Sequence, residues 1–306
     1  MANMRAGVAG AGAMGRNHAR IYSLLEGVDL TAVYDADRAR AEAVVAEFGG
    51  KAVDTLEDLA AHCDLASVAV PTVAHREVGC FLLEKGVHVL IEKPIAATVE
   101  DAQALVDASR KWERLLAVGH VERFNPVLKQ LEGRLTKPRF IEAHRLSPFP
   151  NRSMDIGVIL DLMIHDLEVI LHLVKSPVVG IDAVGVSVLT PTEDIANARL
   201  RFENGCVANV TASRISPERM RKIRVFQEDC YLSLDYQQQE GQMYAKVDTG
   251  ISKFDVEIEK GEPLMGELRS FVDAVARGEK PAVTGQQGLA ALELALKVTE
   301  LARLGM

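Results

Sequence analysis

The stretch GVAGAGAMG, residues 7–15, decides the fold class. It spaces Gly10, Gly12 and Gly15 as G-x-G-x-x-G, between an apolar run typical of a buried strand and a segment with helical periodicity. There the first glycine permits a tight turn, the second lets a pyrophosphate approach the backbone, and the third lets helix and strand pack closely. The stretch therefore predicts a strand, turn and helix that bind a dinucleotide.

The second predicted strand, DLTAVYD at 29–35, ends in an acidic residue about 20 positions after the last glycine. This residue, Asp35, can accept hydrogen bonds from the ribose hydroxyls of NAD and repel the 2′-phosphate of NADP. A tight turn followed by a surface aspartate is the simpler alternative, and Arg38 nearby leaves some room for NADP. We predict NAD as the cofactor.

The order of apolar and amphipathic segments predicts an α/β chain of two domains. Up to about residue 118, short Val- and Ala-rich runs alternate with segments of helical length, which is typical of a parallel sheet. Later strand candidates follow one another through turns such as ENG, which favours antiparallel pairing. We predict an NAD-binding Rossmann domain at 1–120. A second domain with a mostly antiparallel sheet should follow at 121–306.

The composition and charge of the chain limit the classes of partner that it can bind. The 306 residues are 48% hydrophobic and 25% charged, enough for two domains with cores of their own. A formal net charge of −8 argues against nucleic acid or an anionic membrane as the main partner. No apolar run reaches the length of a membrane span, no signal core precedes the first strand, and the four cysteines lack CxxC spacing. We expect a cytoplasmic protein with reduced thiols and a small-molecule partner.

The stretch ILDLMIHDLEVIL, residues 159–171, is apolar except for a few ionisable residues. At about 100° per residue on a helix, Asp161, His165 and Glu168 form one narrow stripe that continues to His172. A solvated face would be wider and richer in Lys and Arg, so the stripe should face something polar inside the molecule. These groups could ligate a divalent ion. No second convergent His/Glu motif accompanies them, and we predict no metal site.

Five motifs in order carry a family resemblance. They are GVAGAGAMG, VAVPTVAH (68–75), EKP (92–94), GHVERFNP (119–126) and DLMIHDLE (161–168). With them the chain resembles, over essentially its whole length, the glucose-fructose oxidoreductase/inositol dehydrogenase family of NAD(P)-dependent sugar dehydrogenases. The resemblance implies a Rossmann domain followed by an α/β domain whose open sheet often forms a subunit interface. A homodimer or homotetramer through that sheet is the expected assembly.

The resemblance also implies where the site residues lie. A Lys in EKP and an Asp and His spaced D-x-x-x-H meet at the nicotinamide in the family, which selects Lys93, Asp161 and His165 here. The family often has Asp three residues after that His, where this chain has Glu168. The predicted cofactor-binding residues are Gly10, Gly12, Ala13, Met14, Gly15, Asp35, Pro71, Thr72, His75, Glu92 and Lys93.

Alcohol oxidation assigns roles to the catalytic trio. The hydroxyl proton must leave as the hydride does, so a base must reach that oxygen. His165 is our candidate because imidazole titrates near neutrality. Lys93 would stabilise negative charge on the oxygen, and Asp161 would orient the imidazole or hold a sugar hydroxyl. The sequence does not separate this from the alternative in which Lys93 is the base and His165 positions the substrate.

Within the family, GHVERFNP and PFPNRSMD (148–155) most resemble the branch that oxidises the 3-hydroxyl of UDP-N-acetylglucosamine-type sugars. In that branch the 3-keto sugar is transaminated to a 3-amino sugar for lipid A or surface polysaccharide. A dehydrogenase of free sugars or inositols and a non-catalytic NAD-binding sensor are the alternatives. The predicted substrate-binding residues are Lys93, Arg123, Asn125, Arg152, Ser153, Asp161, His165 and Arg214.

Overall fold

A computed structural model describes residues 3–149, 156–248 and 250–304. The chain forms two compact units. The first contains the residues up to 121 together with 264–290, and the second contains 122–263 together with the residues from 291. No helix in the described ranges is long and apolar enough to cross a membrane.

The first unit is built on a six-stranded parallel sheet. Its strands are β1 (Met4–Ala9), β2 (Val28–Tyr34), β3 (Lys51–Val53), β4 (Leu65–Val68), β5 (His88–Glu92) and β6 (Leu116–Gly119). Its first five helices are α1 (Ala13–Leu24), α2 (Arg38–Phe48), α3 (Leu56–His62), α4 (His75–Glu84) and α5 (Val99–Lys111). The order β3-β2-β1-β4-β5-β6 is the doubly wound order of dinucleotide-binding domains, which confirms the predicted Rossmann fold.

Side-chain caps set where several of these helices begin. The Thr55 and Thr98 hydroxyls accept hydrogen bonds from the backbone N–H groups of Asp58 and Asp101, and the Asp37 carboxylate accepts one from Ala39. Such caps satisfy N–H groups that have no partner within the helix. α5 therefore begins directly after Thr98.

The second unit is built on an eight-stranded sheet. Its strands are β7 (Phe140–Leu146), β8 (Val178–Val186), β9 (Ile195–Phe202), β10 (Val207–Ser213), β11 (Met220–Phe226), β12 (Cys230–Asp235), β13 (Glu240–Val247) and β14 (Gly250–Val256). Their order is β14-β13-β12-β11-β7-β10-β9-β8, and every neighbouring pair is antiparallel except β7 with β10. This confirms the open, mostly antiparallel sheet.

Helices cover one face of this sheet. They are α6 (Pro126–Glu132), α7 (Ile164–Val174) and the C-terminal part of α9 (Gly285–Leu304). The helix that precedes α9 is α8 (Pro263–Arg277). Side chains alternate across the strands, and the inward set packs with the helices in one core. Representative members are Ile141, Ala198, Leu200, Val210, Ile223, Val225, Leu232, Ile170 and Val298.

The segment 264–290 joins the first unit, although the sequence placed it in the predicted range 121–306. Leu268, Phe271 and Val272 of α8 are buried in one core cluster with residues of β1, β5 and α1. The apolar face of this amphipathic helix is buried in that core, which explains why the chain comes back to the first unit after residue 263. The hydrophobic periodicity of this segment fits a helix but carries no information about which sheet the helix covers.

Candidate active site

The three glycines of the loop have separate structural reasons. Gly10 has φ of +95°, which favours glycine, in the turn after β1. A Cβ at Gly15 would lie 1.6 Å from the Gly10 carbonyl oxygen, so only glycine allows α1 to lie this close to β1. A Cβ at Gly12 would meet nothing within 4 Å, which leaves the space in which a ligand approaches the backbone. These are the three roles that dinucleotide binding requires.

Asp35 is fixed beside this loop. Its Oδ2 accepts a hydrogen bond from the Ala11 N–H at 2.6 Å, and its Oδ1 accepts one from the Asp37 N–H at 2.8 Å. The Arg38 guanidinium is paired instead with the Glu42 and Asp54 carboxylates. A carboxylate next to the loop and a neutralised arginine suit the hydroxyls of NAD better than the phosphate of NADP.

The first turn of α1 offers a site for an anion. The helix has 12 residues and no acidic residue in its first turn, and Ala13 and Met14 are exposed there. Backbone N–H groups at a helix N-terminus attract phosphate through hydrogen bonds and the helix dipole. Together with Gly12 and Asp35, this geometry fits NAD, which would place its diphosphate over the loop.

The EKP motif lies at the carboxyl end of β5. Glu92 is 9% exposed, and its Oε2 accepts a hydrogen bond from the Lys93 N–H at 3.2 Å. His75 is buried, with Nδ1 3.1 Å from the Pro94 carbonyl oxygen and Nε2 3.0 Å from that of Val70. Burial lowers the pKa of His75, against the opposing effect of these carbonyl groups. His75 thus ties the turn after β4 to the loop that carries Lys93.

Two further predicted cofactor residues belong to that turn. Pro71 is exposed and Thr72 is half-buried, at the start of a short 3-10 helix over Thr72–Ala74. The turn follows β4, which pairs with β1 on one side and β5 on the other. The predicted cofactor residues therefore gather at the carboxyl edge of β1, β2, β4 and β5, where open α/β sheets bind ligands.

Asp161 lies in a π-helical turn, Ile159–Met163, which continues directly into α7. The Ile164 N–H donates to the Ile159 carbonyl oxygen five residues earlier. The sequence predicted regular α-helical spacing here, so the π turn is a difference from that prediction. Such turns are frequent at functional sites because they change the direction of side chains within a helix. Asp161 and His165 are both half-buried.

A buried ion network anchors α7 to the sheet. The Arg145 guanidinium, on β7, donates to both carboxylate oxygens of Asp166 at 2.7 and 3.0 Å and to Oε1 of Glu122 at 2.8 Å. All three residues are at most 5% exposed. Paired and hydrogen-bonded charges of this kind are costly to break. The network explains why a carboxylate is buried at Asp166, which lies off the polar stripe of Asp161, His165 and Glu168. It also fixes the helix that carries His165.

The rest of the stripe also has partners within the second unit. The Arg123 guanidinium donates to Glu168 Oε1 at 2.6 Å, and both side chains are buried. Burial raises the pKa of Glu168 to about 7, although Arg123 acts in the opposite direction. His172 contacts the Glu132 carboxylate. Part of the stripe therefore faces α6 and the turn before it.

Asn125 and Arg214, both predicted to bind substrate, have structural contacts. Asn125 is buried and caps α6, its Oδ1 accepting from the Val127 N–H at 3.2 Å. Arg214 is 1% exposed and donates to Asp194 and to the backbone carbonyl of Ile156. These contacts explain why both side chains are polar and buried. Their part in substrate binding stays a prediction, and Arg152 and Ser153 lie outside the described residues.

Lys93 belongs to the first unit, and Asp161 and His165 belong to the second. Their meeting at the nicotinamide stays a prediction. Sequence reasoning missed His18, whose Nε2 lies 2.9 Å from Glu92 Oε1, and the charges of Arg145 and Glu122. A signal for His18 was present, since it falls on the buried face of α1 one turn before Tyr22.

Comparison with known proteins gives a consistent result. Residues 4–120 match the model of an oxidoreductase family with an NAD-binding Rossmann fold, and residues 129–232 match the GFO/IDH/MocA C-terminal domain. The chain is 36% identical over 305 residues to UDP-N-acetylglucosamine 3-dehydrogenase from Acidithiobacillus ferrooxidans, covering 97% of each chain. It is 26% identical to myo-inositol 2-dehydrogenase from Thermotoga maritima, covering 95% of this chain and 94% of that one.

A solved structure of the Acidithiobacillus ferrooxidans enzyme superposes with a TM-score of 0.94 at 37% identity, covering 98% of both chains. Fold, sequence and the geometry of the glycine loop lead to one conclusion. The chain belongs to the GFO/IDH/MocA family of NAD-dependent oxidoreductases.

Proposed function

We propose that this protein oxidises the 3-hydroxyl of a UDP-N-acetylglucosamine-type nucleotide sugar, with NAD as the oxidant. The observation that carries the proposal is 36% identity along 97% of both chains to an enzyme named for that reaction. The product would be a 3-keto sugar, whose ketone a transaminase converts to a 3-amino sugar for lipid A or surface polysaccharide. All four cysteines are free thiols, which suits the reducing cytoplasm, where we expect the reaction.

In the proposed reaction, three side chains have separate catalytic roles. Bound NAD supplies the acceptor for the hydride from the sugar carbon. His165 takes the hydroxyl proton, and Asp161, four residues earlier, orients the imidazole. Lys93 stabilises negative charge on the oxygen as a preorganised donor. Its backbone is fixed by the Glu92 carboxylate, and the His165 helix is fixed by Arg145 and Asp166.

Arg123 is the proposed partner of a substrate phosphate. Its guanidinium is already oriented by Glu168 through the contact of 2.6 Å. Burial raises the pKa of Glu168 to about 7, and the Arg123 charge acts in the opposite direction. A guanidinium group matches the geometry and charge of phosphate oxygens, so we propose that Arg123 attracts the diphosphate of the substrate. Free sugars and inositols carry no group that needs this charge.

The test of this proposal is NADH formation by the purified protein with NAD and UDP-N-acetylglucosamine. A glutamate-dependent 3-amino-sugar aminotransferase should be added to remove the ketone. We expect turnover that requires the uridine diphosphate, with N-acetylglucosamine and myo-inositol at least about 10²-fold poorer in kcat/KM, since a lost charged contact costs several kcal/mol. Turnover of the free sugars alone would assign a different substrate, and silence on all of them would favour the sensor.

A second proposal concerns the open face of the eight-stranded sheet. Four aromatic residues from adjacent strands form a row there, Phe140, Phe226, Tyr231 and Tyr244, with successive ring centroids 5.7, 4.9 and 4.5 Å apart. All four are half-buried in the single chain. We propose that a second copy of the chain packs on this row, because contiguous aromatic surface is typical of interfaces.

The assembly is testable by sedimentation equilibrium. We expect a dimer or tetramer for the wild type and a large fall in the association constant for Tyr244→Glu, which would bury a charge in the contact. Trp112→Glu, at an exposed aromatic residue of the first unit, is the matched control and should leave the mass unchanged. A monomeric wild type, or a Tyr244→Glu protein with unchanged mass, would rule out this interface.

A further inference from the structure

A chain of buried polar groups lies beneath the loop that carries Lys93. Tyr22 Oη lies 2.8 Å from Ser67 Oγ, which lies 2.8 Å from His18 Nδ1, and His18 Nε2 lies 2.9 Å from Glu92 Oε1. Every proton finds an acceptor if Tyr22 donates to Ser67, Ser67 to Nδ1, and the Nε2–H to Glu92. Glu92 also accepts a hydrogen bond from the Lys93 N–H, so this series of hydrogen bonds ends at the Lys93 backbone.

Glu267 of α8 lies next to Glu92 and His18, at the end of this series of hydrogen bonds. It is 1% exposed, and both of its carboxyl oxygens are buried without a hydrogen-bond partner among the described residues. A carboxyl oxygen of Glu267, a carboxyl oxygen of Glu92 and a ring nitrogen of His18 all lie within 4.8 Å of one another. An ionised carboxylate in this place would be desolvated, unpaired and next to a second carboxylate, at a cost of several kcal/mol. A bound positive charge or a proton removes that cost.

Titratable groups near Glu267 in the described part of the chain include Glu92 from β5 and His18 and Tyr22 from α1. Burial raises the pKa of Glu267 well above its usual range, and the Glu92 carboxylate raises it further. Burial likewise raises the pKa of Tyr22, so this hydroxyl stays neutral.

We propose that Glu267 is a neutral carboxylic acid in the folded protein, that its proton faces the Glu92 carboxylate, and that it thereby positions Lys93. A protonated Glu267 gives Glu92 a further donor besides His18 and the Lys93 N–H. Glu92 is thus held against the backbone from which the Lys93 side chain projects. The positioning role rests on the proposed function of Lys93, whereas the protonation of Glu267 does not.

The first test is urea unfolding of the wild type and Glu267→Gln between pH 5 and 8. The unfolded chain releases this proton above a pKa of about 4.3, while the folded chain keeps it, so a rise in pH favours unfolding of the wild type. Glutamine mimics the neutral acid and cannot titrate. We expect the ratio of the wild-type unfolding constant to that of Glu267→Gln to rise by up to about tenfold per pH unit.

The matched control is Asp273→Asn, which also changes a carboxylate to an amide on α8, at a side chain that is 42% exposed. It should follow the wild-type profile. Parallel profiles for the wild type and Glu267→Gln would show that Glu267 holds no proton. Elemental analysis of the purified protein adds a second check: a stoichiometric divalent metal that Glu267→Gln abolishes would overturn the proposal in favour of a metal site.

The positioning role is tested by hydrogen exchange of the peptide containing Lys93, which needs no substrate. Glu267→Met should accelerate exchange of the Lys93 amide, while Glu267→Gln should keep the wild-type rate. In turnover of UDP-N-acetylglucosamine, Glu267→Met should lose about tenfold in kcat with an unchanged Kd for NADH, the effect of one hydrogen bond. Equal exchange in all three proteins would overturn the role, whereas an inactive wild type would count against the substrate alone.

Discussion

Replacing Lys93 by methionine is expected to lower kcat by about 10²- to 10³-fold, the usual effect of removing one preorganised donor to a reacting oxygen. Methionine keeps the length and apolar stem of the side chain and removes the charge. The main-chain contact of residue 93 with Glu92 survives the change. Binding of NADH should therefore stay within about threefold, because the glycine loop and Asp35 are untouched.

Stopped-flow turnover and equilibrium titration of NADH fluorescence measure the two quantities separately. The matched control is Lys85→Met, an exposed lysine at the end of α4 that lies over the Phe81 ring. It should change neither quantity. Undiminished turnover of Lys93→Met would remove Lys93 from the site. If Lys93 is the base rather than the oxyanion partner, the activity of His165→Asn should exceed that of Lys93→Met. His165→Asn should then also keep the fall of kcat at low pH, because a base must be deprotonated to act.

Replacing Gly15 by alanine is expected to have the largest effect on the fold of the first unit. The added Cβ would lie 1.6 Å from the Gly10 carbonyl oxygen, which is a backbone atom and cannot rotate away. α1 must then move from β1, and the loop between them must change shape. We expect a loss of more than about 3 kcal/mol in the free energy of unfolding, at the upper end of overpacking effects, together with loss of NADH binding.

Gly12→Ala is the control that separates stability from binding. Gly12 has φ of −71°, which alanine adopts, and its Cβ would meet nothing within 4 Å. Its Tm should match that of the wild type, yet its Kd for NADH should rise at least about tenfold, because the methyl group occupies the path of the pyrophosphate. A stable Gly15→Ala protein, or a Gly12→Ala protein that binds NADH normally, would contradict the assigned roles.

The sequence predicted the features whose causes are local. The glycine spacing and the apolar run that ends in Asp35 are each patterns of residues close together along the chain. The alternation of strand-like and helical segments before residue 118 predicted the parallel sheet, and the succession of strand-like segments joined by turns predicted the antiparallel one. β3 has only three residues, which are too few to show a period in the sequence.

Other features depend on partners far away along the chain. Arg145 meets Glu122 and Asp166 across more than 20 residues each, and nothing in the pattern around Arg145 names those partners. The return of α8 to the first unit is equally non-local. The π turn at Asp161 is a local distortion in a stretch whose apolar pattern fits an α-helix as well, so periodicity does not reveal it.

The central claim is that the carbon oxidised is C3 of a UDP-N-acetylglucosamine-type sugar. The most direct measurement is mass spectrometry of the NADH formed from substrate deuterated at C3 or, separately, at C4. The account predicts one deuterium in the reduced cofactor from the C3-labelled sugar and none from the C4-labelled sugar. Deuterium from C4, or unlabelled NADH formed from the C3-labelled sugar, would contradict it.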